Sequence, residues 1–114
     1  MSGSPVFLPT GYEYRNPSEW AIEEARCIVR GLLSGSGVKA FLFGSRARGD
    51  AGRFSDIDIA VNAGAKPVSG NLMALLSEAF ELSRIPFFVD LVDTYRASPA
   101  VKLAIAEEGI QWTE

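Results

Sequence analysis

Hydrophobic residues recur along the chain with two different periods. From Ser18 to Leu33 they are spaced three and four positions apart with charged residues between them, which predicts an amphipathic helix. Asn71–Ser83 carries a wide apolar stripe of the same period and predicts a second helix. A third helix is predicted to open at Ser98-Pro99, because serine caps a helix start and proline fits its first turn, and to close at Gly109.

Short apolar runs between these helices predict strands. They are Val38–Phe43, Phe54–Val61, Ile85–Val92 and a terminal edge strand at Ile110–Trp112. The elements therefore follow one another as helix, strand, strand, helix, strand, helix, with the edge strand last. This order predicts an α+β, or mixed α/β, fold in which helices flank a small sheet.

Length and composition restrict the class of protein. The 114 residues predict one domain over residues 16–114, preceded by an irregular leader at 1–15. A net charge of −3 excludes a generic basic nucleic-acid binder, so we expect no direct binding of nucleic acid. Because no apolar run approaches the roughly 18 residues that cross a bilayer and the chain begins without a signal-peptide pattern, we expect a cytoplasmic protein that does not bind membranes.

The titratable residues restrict the chemistry further. The sequence contains no histidine and a single cysteine, Cys27. This excludes Ser-His-Asp triads, Cys-His pairs, zinc sites built on these residues, and a disulfide framework. Catalysis would have to rest on carboxylates, assisted by hydroxyl groups, arginine, lysine, tyrosine and backbone N–H groups.

The first candidate site follows the first predicted strand, at Gly44, Ser45 and Arg46. A glycine lets a ligand approach the backbone closely, a hydroxyl group lies beside it, and backbone N–H groups point outward, which is how proteins cradle phosphate. Arg46 and Arg48 add positive charge suited to a triphosphate. The alternative is an ordinary turn in which the glycines serve backbone geometry and the arginines are solvated.

Two acids in the second predicted strand form the next candidate site. Residues i and i+2 of a strand point to the same face about 6–7 Å apart, so Asp56 and Asp58 are predicted to stand side by side. Their mutual repulsion needs a compensating cation or a shared proton. Because histidine and cysteine ligands are not available, the hard cations Mg²⁺ and Mn²⁺ fit this pair best.

A third acid, Asp90, lies inside the apolar run from Phe87 to Val92, while Asp93 at its end is expected to be an exposed turn residue. Burying Asp90 without a partner would be costly, so it pairs with a buried arginine, caps a local element, or belongs to a site. Taken together with Asp56 and Asp58, it predicts a two-metal site for phosphoryl transfer.

The sequence Gly44-Ser45, ten intervening residues and Asp56-Ile57-Asp58 resembles the signature of the nucleotidyltransferase superfamily related to DNA polymerase beta. In particular, the chain resembles the minimal nucleotidyltransferase (MNT) domains that act as antitoxins to HEPN toxins, and the resemblance extends from about Trp20 to the end. It implies a small mixed sheet with flanking helices. It also implies that Gly44 and Ser45 bind the β- and γ-phosphates, that Asp56 and Asp58 bind the metals, and that Asp90 binds one metal and acts as base.

The resemblance further implies a reaction and a partner. The donor would be ATP, the product an AMP-modified tyrosine, and the partner an all-helical HEPN ribonuclease toxin. Two alternatives stay open: a non-catalytic antitoxin that only occludes its toxin, and a transferase for a small molecule of the aminoglycoside type. The second alternative lacks an acceptor-binding domain unless a homo-oligomer supplies one, and the sequence leaves the oligomeric state open.

Overall fold

A computed structural model describes residues 17–113, so the predicted leader at 1–15 lies outside the described residues. In chain order the elements are α1 (Pro17–Leu33), β1 (Lys39–Phe43), α2 (Ser45–Arg48), β2 (Ile57–Asn62), α3 (Gly70–Glu81), β3 (Val89–Asp93), a 3-10 turn (Thr94–Arg96), α4 (Pro99–Glu108) and β4 (Ile110–Gln111). All three predicted helices form, and the sequence analysis missed only the short helix α2 and the 3-10 turn.

Serine hydroxyl groups start two of the helices. The Ser69 side chain accepts a hydrogen bond from the Leu72 N–H at 3.1 Å and so caps α3. Ser98 accepts from the Val101 N–H at 3.3 Å and caps α4, where Pro99 has no N–H to satisfy. These contacts pair backbone donors that the first turn of a helix leaves free, and they confirm the predicted start of α4.

The four strands form one mixed sheet in the order β3-β2-β1-β4. Strand β1 runs antiparallel to both β2 and β4, whereas β2 and β3 are parallel. The connection between the parallel strands contains α3, as parallel neighbours require a crossover. This architecture confirms the predicted fold class, a small mixed sheet with flanking helices.

The two faces of the sheet are covered to different extents. We call the first the packed face: α1 and α3 cover it, and its core includes the fully buried side chains of Val29, Ile57, Ile59, Val61 and Leu76. On the other face, Ile105 of α4 packs with Phe43 and Ala60. Because Asp58 lies two residues before Ala60, it shares this second face, which we call the open face.

Two predicted strands are shorter than expected. The run predicted from Phe54 pairs only from Ile57, because the N–H of Gly52 bonds to the Ser55 hydroxyl at 2.7 Å and bends the chain into a turn. The run predicted from Ile85 pairs in the sheet only from Val89, after a segment that contains Pro86, which has no N–H to donate to a strand ladder. Asp56 therefore lies immediately before β2 rather than inside it.

None of the helices in the described part of the chain combines the length and the apolar character needed to span a bilayer.

Candidate active site

The structure places Asp58 and Asp90 side by side on the open face, with Asp56 close to Asp58. Asp58 in β2 is the direct register partner of Asp90 in β3, so their α-carbons sit about 4.8 Å apart, the spacing of neighbouring strands. Asp56 enters the same neighbourhood from the segment just before β2. The charges of both Asp56 and Asp90 act on the Asp58 carboxylate. Residues far apart in the sequence thus lie near one another around Asp58, and we call Asp56, Asp58 and Asp90 the acidic cluster.

The electrostatics of Asp58 show that this cluster is short of positive charge. The pKa of the Asp58 carboxyl group is raised above its ordinary value, first because the group is partly buried and then because Asp90 and Asp56 repel its charged form. Arg48 and Arg46 act in the opposite direction without cancelling the rise. The Asp58 carboxylate therefore favours a bound proton or a neighbouring cation.

The acids suit a metal cation whose coordination shell is completed by the phosphates of a bound substrate. Within residues 17–113, no three acids, histidines or cysteines stand close enough to hold a metal ion by themselves. Asp58 with one neighbouring carboxylate offers the one or two oxygen ligands from which Mg²⁺ is usually bound when substrate phosphates and water complete its shell. The donor set thus suits Mg²⁺ or Mn²⁺ with a nucleotide, and it does not suit a closed structural metal site.

Gly44 brings the backbone directly against this cluster. Its φ of 78° and ψ of −159° belong to a region that is essentially reserved for glycine. A Cβ at this position would collide with Asp58 Oδ2 and would lie 3.1 Å from Asp58 Cγ. The turn after β1 therefore requires glycine both for its backbone angles and for its closeness to the acid.

The Gly44 amide is already bonded within the protein. Its N–H donates to Glu108 Oε1 at 2.9 Å, and Arg48 Nη1 donates to the same oxygen at 2.9 Å. Arg48 Nε also donates to Asp50 Oδ2 at 3.0 Å. By contrast, the Ser45 hydroxyl has no hydrogen-bond partner in the part of the chain that the structure describes. Of the two predicted phosphate-binding residues, Ser45 therefore carries the free donor and Gly44 shapes the backbone.

Arg46 is more constrained than a solvated loop residue. Its Nε and Nη2 atoms donate to the Ser55 carbonyl at 3.1 and 2.7 Å, and its guanidinium lies 4.4 Å from the centre of the Phe87 ring. Burial lowers the pKa of Arg46, while Asp56 and Asp58 raise it. Arg46 thus links α2 to the segment before β2 and supplies positive charge beside two of the acids.

Two features of this region differ from the sequence analysis or were missed by it. Asp93 is not an exposed turn residue: it is 8% exposed and accepts hydrogen bonds from the N–H groups of Val68 and Tyr95. Glu108 was treated only as the end of a helix. The sequence did carry a signal, because an acid at a helix C-terminus opposes the helix dipole and needs a compensating partner.

A groove of about 430 Å³ lies beside the third acid, between α3 and the outer edge of β3. Its lining includes the aromatic rings of Phe80, Phe87 and Phe88 together with Asp90. Strand β3 is at the edge of the sheet, and the side chain of Asp90 belongs to the open face, opposite the face that α3 covers.

Comparison with known proteins agrees with this geometry. A family model described as "Polymerase beta, Nucleotidyltransferase" matches residues 36–113. The chain belongs to this nucleotidyltransferase family. The matched range contains the Gly44–Ser45 turn and all three acids. A comparison with curated protein sequences found no match.

Several solved toxin–antitoxin structures are also similar to this chain. A toxin–antitoxin complex with AMP-PNP is similar at 30% identity and a TM-score of 0.60, with 76% of this chain and 71% of that chain covered. The MNT antitoxin structure of a complex with a tri-AMPylated Shewanella oneidensis HEPN toxin is similar at 26% identity and a TM-score of 0.52, covering 79% and 70% of the two chains. An MntA–HepT toxin–antitoxin structure matches at 26% identity and a TM-score of 0.51, with the same coverage.

Proposed function

We propose that the chain is the antitoxin of a HEPN toxin pair and transfers AMP from ATP to a tyrosine hydroxyl of its all-helical partner. The observation that carries the proposal is the convergence of Asp56, Asp58 and Asp90 beside the Gly44–Ser45 turn. Support for donor and acceptor comes from the similar structures, one of which contains AMP-PNP and another an AMPylated HEPN toxin.

Each residue of the site has a role in this proposal. Asp56, Asp58 and Asp90 would supply carboxylate oxygens to Mg²⁺ or Mn²⁺, triphosphate oxygens and water would complete the shell, and the cation would neutralise charge on the triphosphate. The Ser45 hydroxyl donates a hydrogen bond to a β- or γ-phosphate oxygen, and Gly44 leaves room for the triphosphate beside Asp58. Arg46 supplies positive charge close to Asp56 and Asp58.

The transfer step needs a base at the acceptor. The acceptor oxygen forms a bond to the α-phosphorus of ATP, the bond from that phosphorus to its bridging oxygen breaks, and pyrophosphate leaves. Asp90 receives the proton of the acceptor hydroxyl, which can approach it from solvent because Asp90 is exposed on the open face of the edge strand β3. Residues 16–114 are the proposed catalytic domain, and the use of ATP makes the cytoplasm its proposed location.

Transfer of label tests the proposal directly. The purified chain is incubated with Mg²⁺, a HEPN toxin and each of four nucleoside triphosphates, labelled in turn at the α- and γ-phosphate. We expect α-label from ATP on the toxin and no γ-label, because pyrophosphate leaves. The Asp58→Asn variant should lose transfer, and Glu107→Gln, which removes one exposed negative charge outside the site, should keep it.

Toxin activity separates catalysis from occlusion. If transfer by the wild type neutralises the toxin, Asp58→Asn should fail to neutralise it. Full neutralisation by a variant that transfers no label would instead identify an occluding antitoxin, and the enzymatic proposal would be wrong.

A further inference from the structure

Glu108 carries a negative charge at the end of a helix where the helix dipole makes negative charge unfavourable. It is the last residue of α4, where the helix dipole disfavours a negative charge, and its side chain is 21% exposed. An acid in this position needs a compensating partner. The proposed reaction assigns no role to Glu108.

The partners of Glu108 belong to the turn beside the acidic cluster. A single carboxylate oxygen, Oε1, accepts from the Gly44 N–H and from Arg48 Nη1, each at 2.9 Å. Hydrogen bonds with a charged partner are stronger than neutral ones. The end of α4 is therefore tied to both ends of the turn formed by Gly44 and α2.

This turn depends on contacts with the rest of the fold. Helix α2 has four residues, and so short a helix has no stability of its own. Gly44 also holds backbone angles that only glycine tolerates, in contact with Asp58. On the α4 side, Glu108 accepts a hydrogen bond from the Gly44 N–H. On the other side, the Ser55 carbonyl accepts hydrogen bonds from Arg46.

We propose that Glu108 is a positioning residue that fixes the Gly44–Arg48 turn so that Ser45 faces the nucleotide. It acts through Gly44 and Arg48 and does not itself contact substrate. The proposal rests on the proposed function, in which this turn binds the triphosphate. It predicts that removing the Glu108 carboxylate weakens nucleotide binding while the fold survives.

Calorimetric titration of Mg²⁺ with AMP-PNP into four proteins tests this role. Glu107→Gln is the matched control, because Glu107 is the exposed neighbour of Glu108 and the variant loses the same charge. We expect Glu107→Gln to bind like the wild type. Glu108→Gln should bind about three- to tenfold more weakly, since its amide oxygen still accepts from Gly44, and Glu108→Ala about ten- to a hundredfold more weakly, since both contacts are lost.

Amide hydrogen exchange of the free proteins gives a second readout that does not need nucleotide. Exchange of the Gly44 amide should accelerate in Glu108→Ala, accelerate less in Glu108→Gln and stay unchanged in Glu107→Gln. The thermal midpoint of Glu108→Gln should stay near that of the wild type. If Glu108→Ala does not fold, the nucleotide affinity and Gly44 exchange of Glu108→Gln, compared with those of Glu107→Gln, test the positioning role.

The outcomes separate this proposal from the proposed function. Wild-type affinity in Glu108→Gln would overturn the positioning role, and tighter binding would show that the carboxylate occupies the place of a phosphate. If the wild type itself binds no AMP-PNP, the proposed function is wrong, and exchange at Gly44 alone then confirms or refutes the positioning role.

Discussion

Two acids only three residues apart on β3 have opposite environments. Asp90 is exposed on the open face and lies next to the carboxylate-bearing residue Asp58. Asp93 lies on the packed face, is 8% exposed, and accepts hydrogen bonds of 3.0 Å from the N–H groups of Val68 and Tyr95, with Arg96 Nε at 3.7 Å. The fold thus gives Asp93 hydrogen-bond donors, whereas it places another carboxylate, that of Asp58, beside Asp90.

The comparison shows how two acids of one strand come to differ. Both residues interrupt the same apolar strand, so neither residue type nor secondary structure separates them. The difference is the presence of donors: N–H groups of the fold bond to Asp93, whereas no hydrogen-bond donor within residues 17–113 contacts Asp58 or Asp90. Removing each acid should therefore damage a different property.

The largest expected effect is on catalysis. Asp90→Asn removes the proposed base, so transfer of α-label should fall by about 10²–10⁴-fold, the usual contribution of general base catalysis. The free energy of unfolding, measured in urea, should stay the same or increase because a repelling charge is lost. Transfer within tenfold of the wild type would remove Asp90 from the site.

The second prediction concerns Asp93. Asp93→Ala leaves the N–H groups of Val68 and Tyr95 without their acceptor and should lower the free energy of unfolding by about 2–4 kcal/mol. Asp93→Asn, which keeps an oxygen acceptor, should lose less. Transfer per folded molecule should be unchanged in both variants, and a specific loss of transfer with normal stability would make Asp93 functional as well.

The third prediction tests the closeness of the Gly44 backbone to the acidic cluster. Gly44→Ala should lower stability by about 2–3 kcal/mol, because the new Cβ is strained and meets Asp58. Gly49→Ala is the matched control: its φ of 86° is also positive, but a Cβ there meets no atom within 4 Å. It should cost about 1 kcal/mol. Equal losses of unfolding free energy in the two variants would contradict the collision.

A smaller effect is expected at Ser45. Ser45→Ala removes one hydrogen bond to a charged phosphate and should weaken binding of AMP-PNP with Mg²⁺ by about tenfold or somewhat more. The unfolding free energy should not change, because the hydroxyl has no partner within residues 17–113. Ser77→Ala, on the exposed side of α3, serves as the control in the same calorimetric titration. Unchanged affinity in Ser45→Ala would leave this turn without its phosphate role.

The smallest effect is a pH dependence of the metal-free protein. Because the pKa of Asp58 is higher in the folded than in the unfolded chain, the folded state holds its proton more tightly. Ionisation of Asp58 should therefore reduce stability as pH rises from the unfolded pKa through the raised folded pKa. Asp58→Asn lacks this contribution. The difference in unfolding free energy between Asp58→Asn and the wild type should therefore increase in favour of the variant as pH rises across that window. A constant difference between the two proteins would contradict the raised pKa.

Much of the fold follows from periodicity, because burial of one stripe or face dominates its energetics. Helices α1, α3 and α4 appear where apolar spacing and serine caps predict them. The strand starts were wrong because apolar residues at the strand entrances are not core residues: Phe54 is 82% exposed and Phe88 is 66% exposed. What ends the pairing there, the turn at Gly52 and Ser55, depends on side-chain contacts that a hydrophobic pattern does not contain.

The candidate site was predictable where its members are locally conspicuous. Asp56, Asp58 and Asp90 stand out as acids in apolar stretches of the sequence, and Gly44-Ser45 stands out by its spacing from them. The prediction for Asp93 is wrong because its burial depends on the Val68 N–H, which comes from a segment 25 residues earlier, whereas its bond to the Tyr95 N–H is local. The partners of Glu108 lie about sixty residues earlier in the chain, so only the packing of α4 against the turn reveals them.

The pairing of Asp58 with Asp90 also determines where the chain tolerates changes in length. The two carboxylates meet because parallel strands β2 and β3 hold one register. A single-residue insertion or deletion inside β3, ahead of Asp90, would turn Asp90 towards the helices and bring a hydrophobic neighbour to the acidic cluster, since successive residues alternate between faces. The exposed positions 64–66 in the connection between β2 and α3 can absorb added residues without that reversal, whereas Val68 in the same connection is buried and bonded to Asp93. Engineered variants can therefore lengthen the chain at 64–66 but have to edit the strands in pairs.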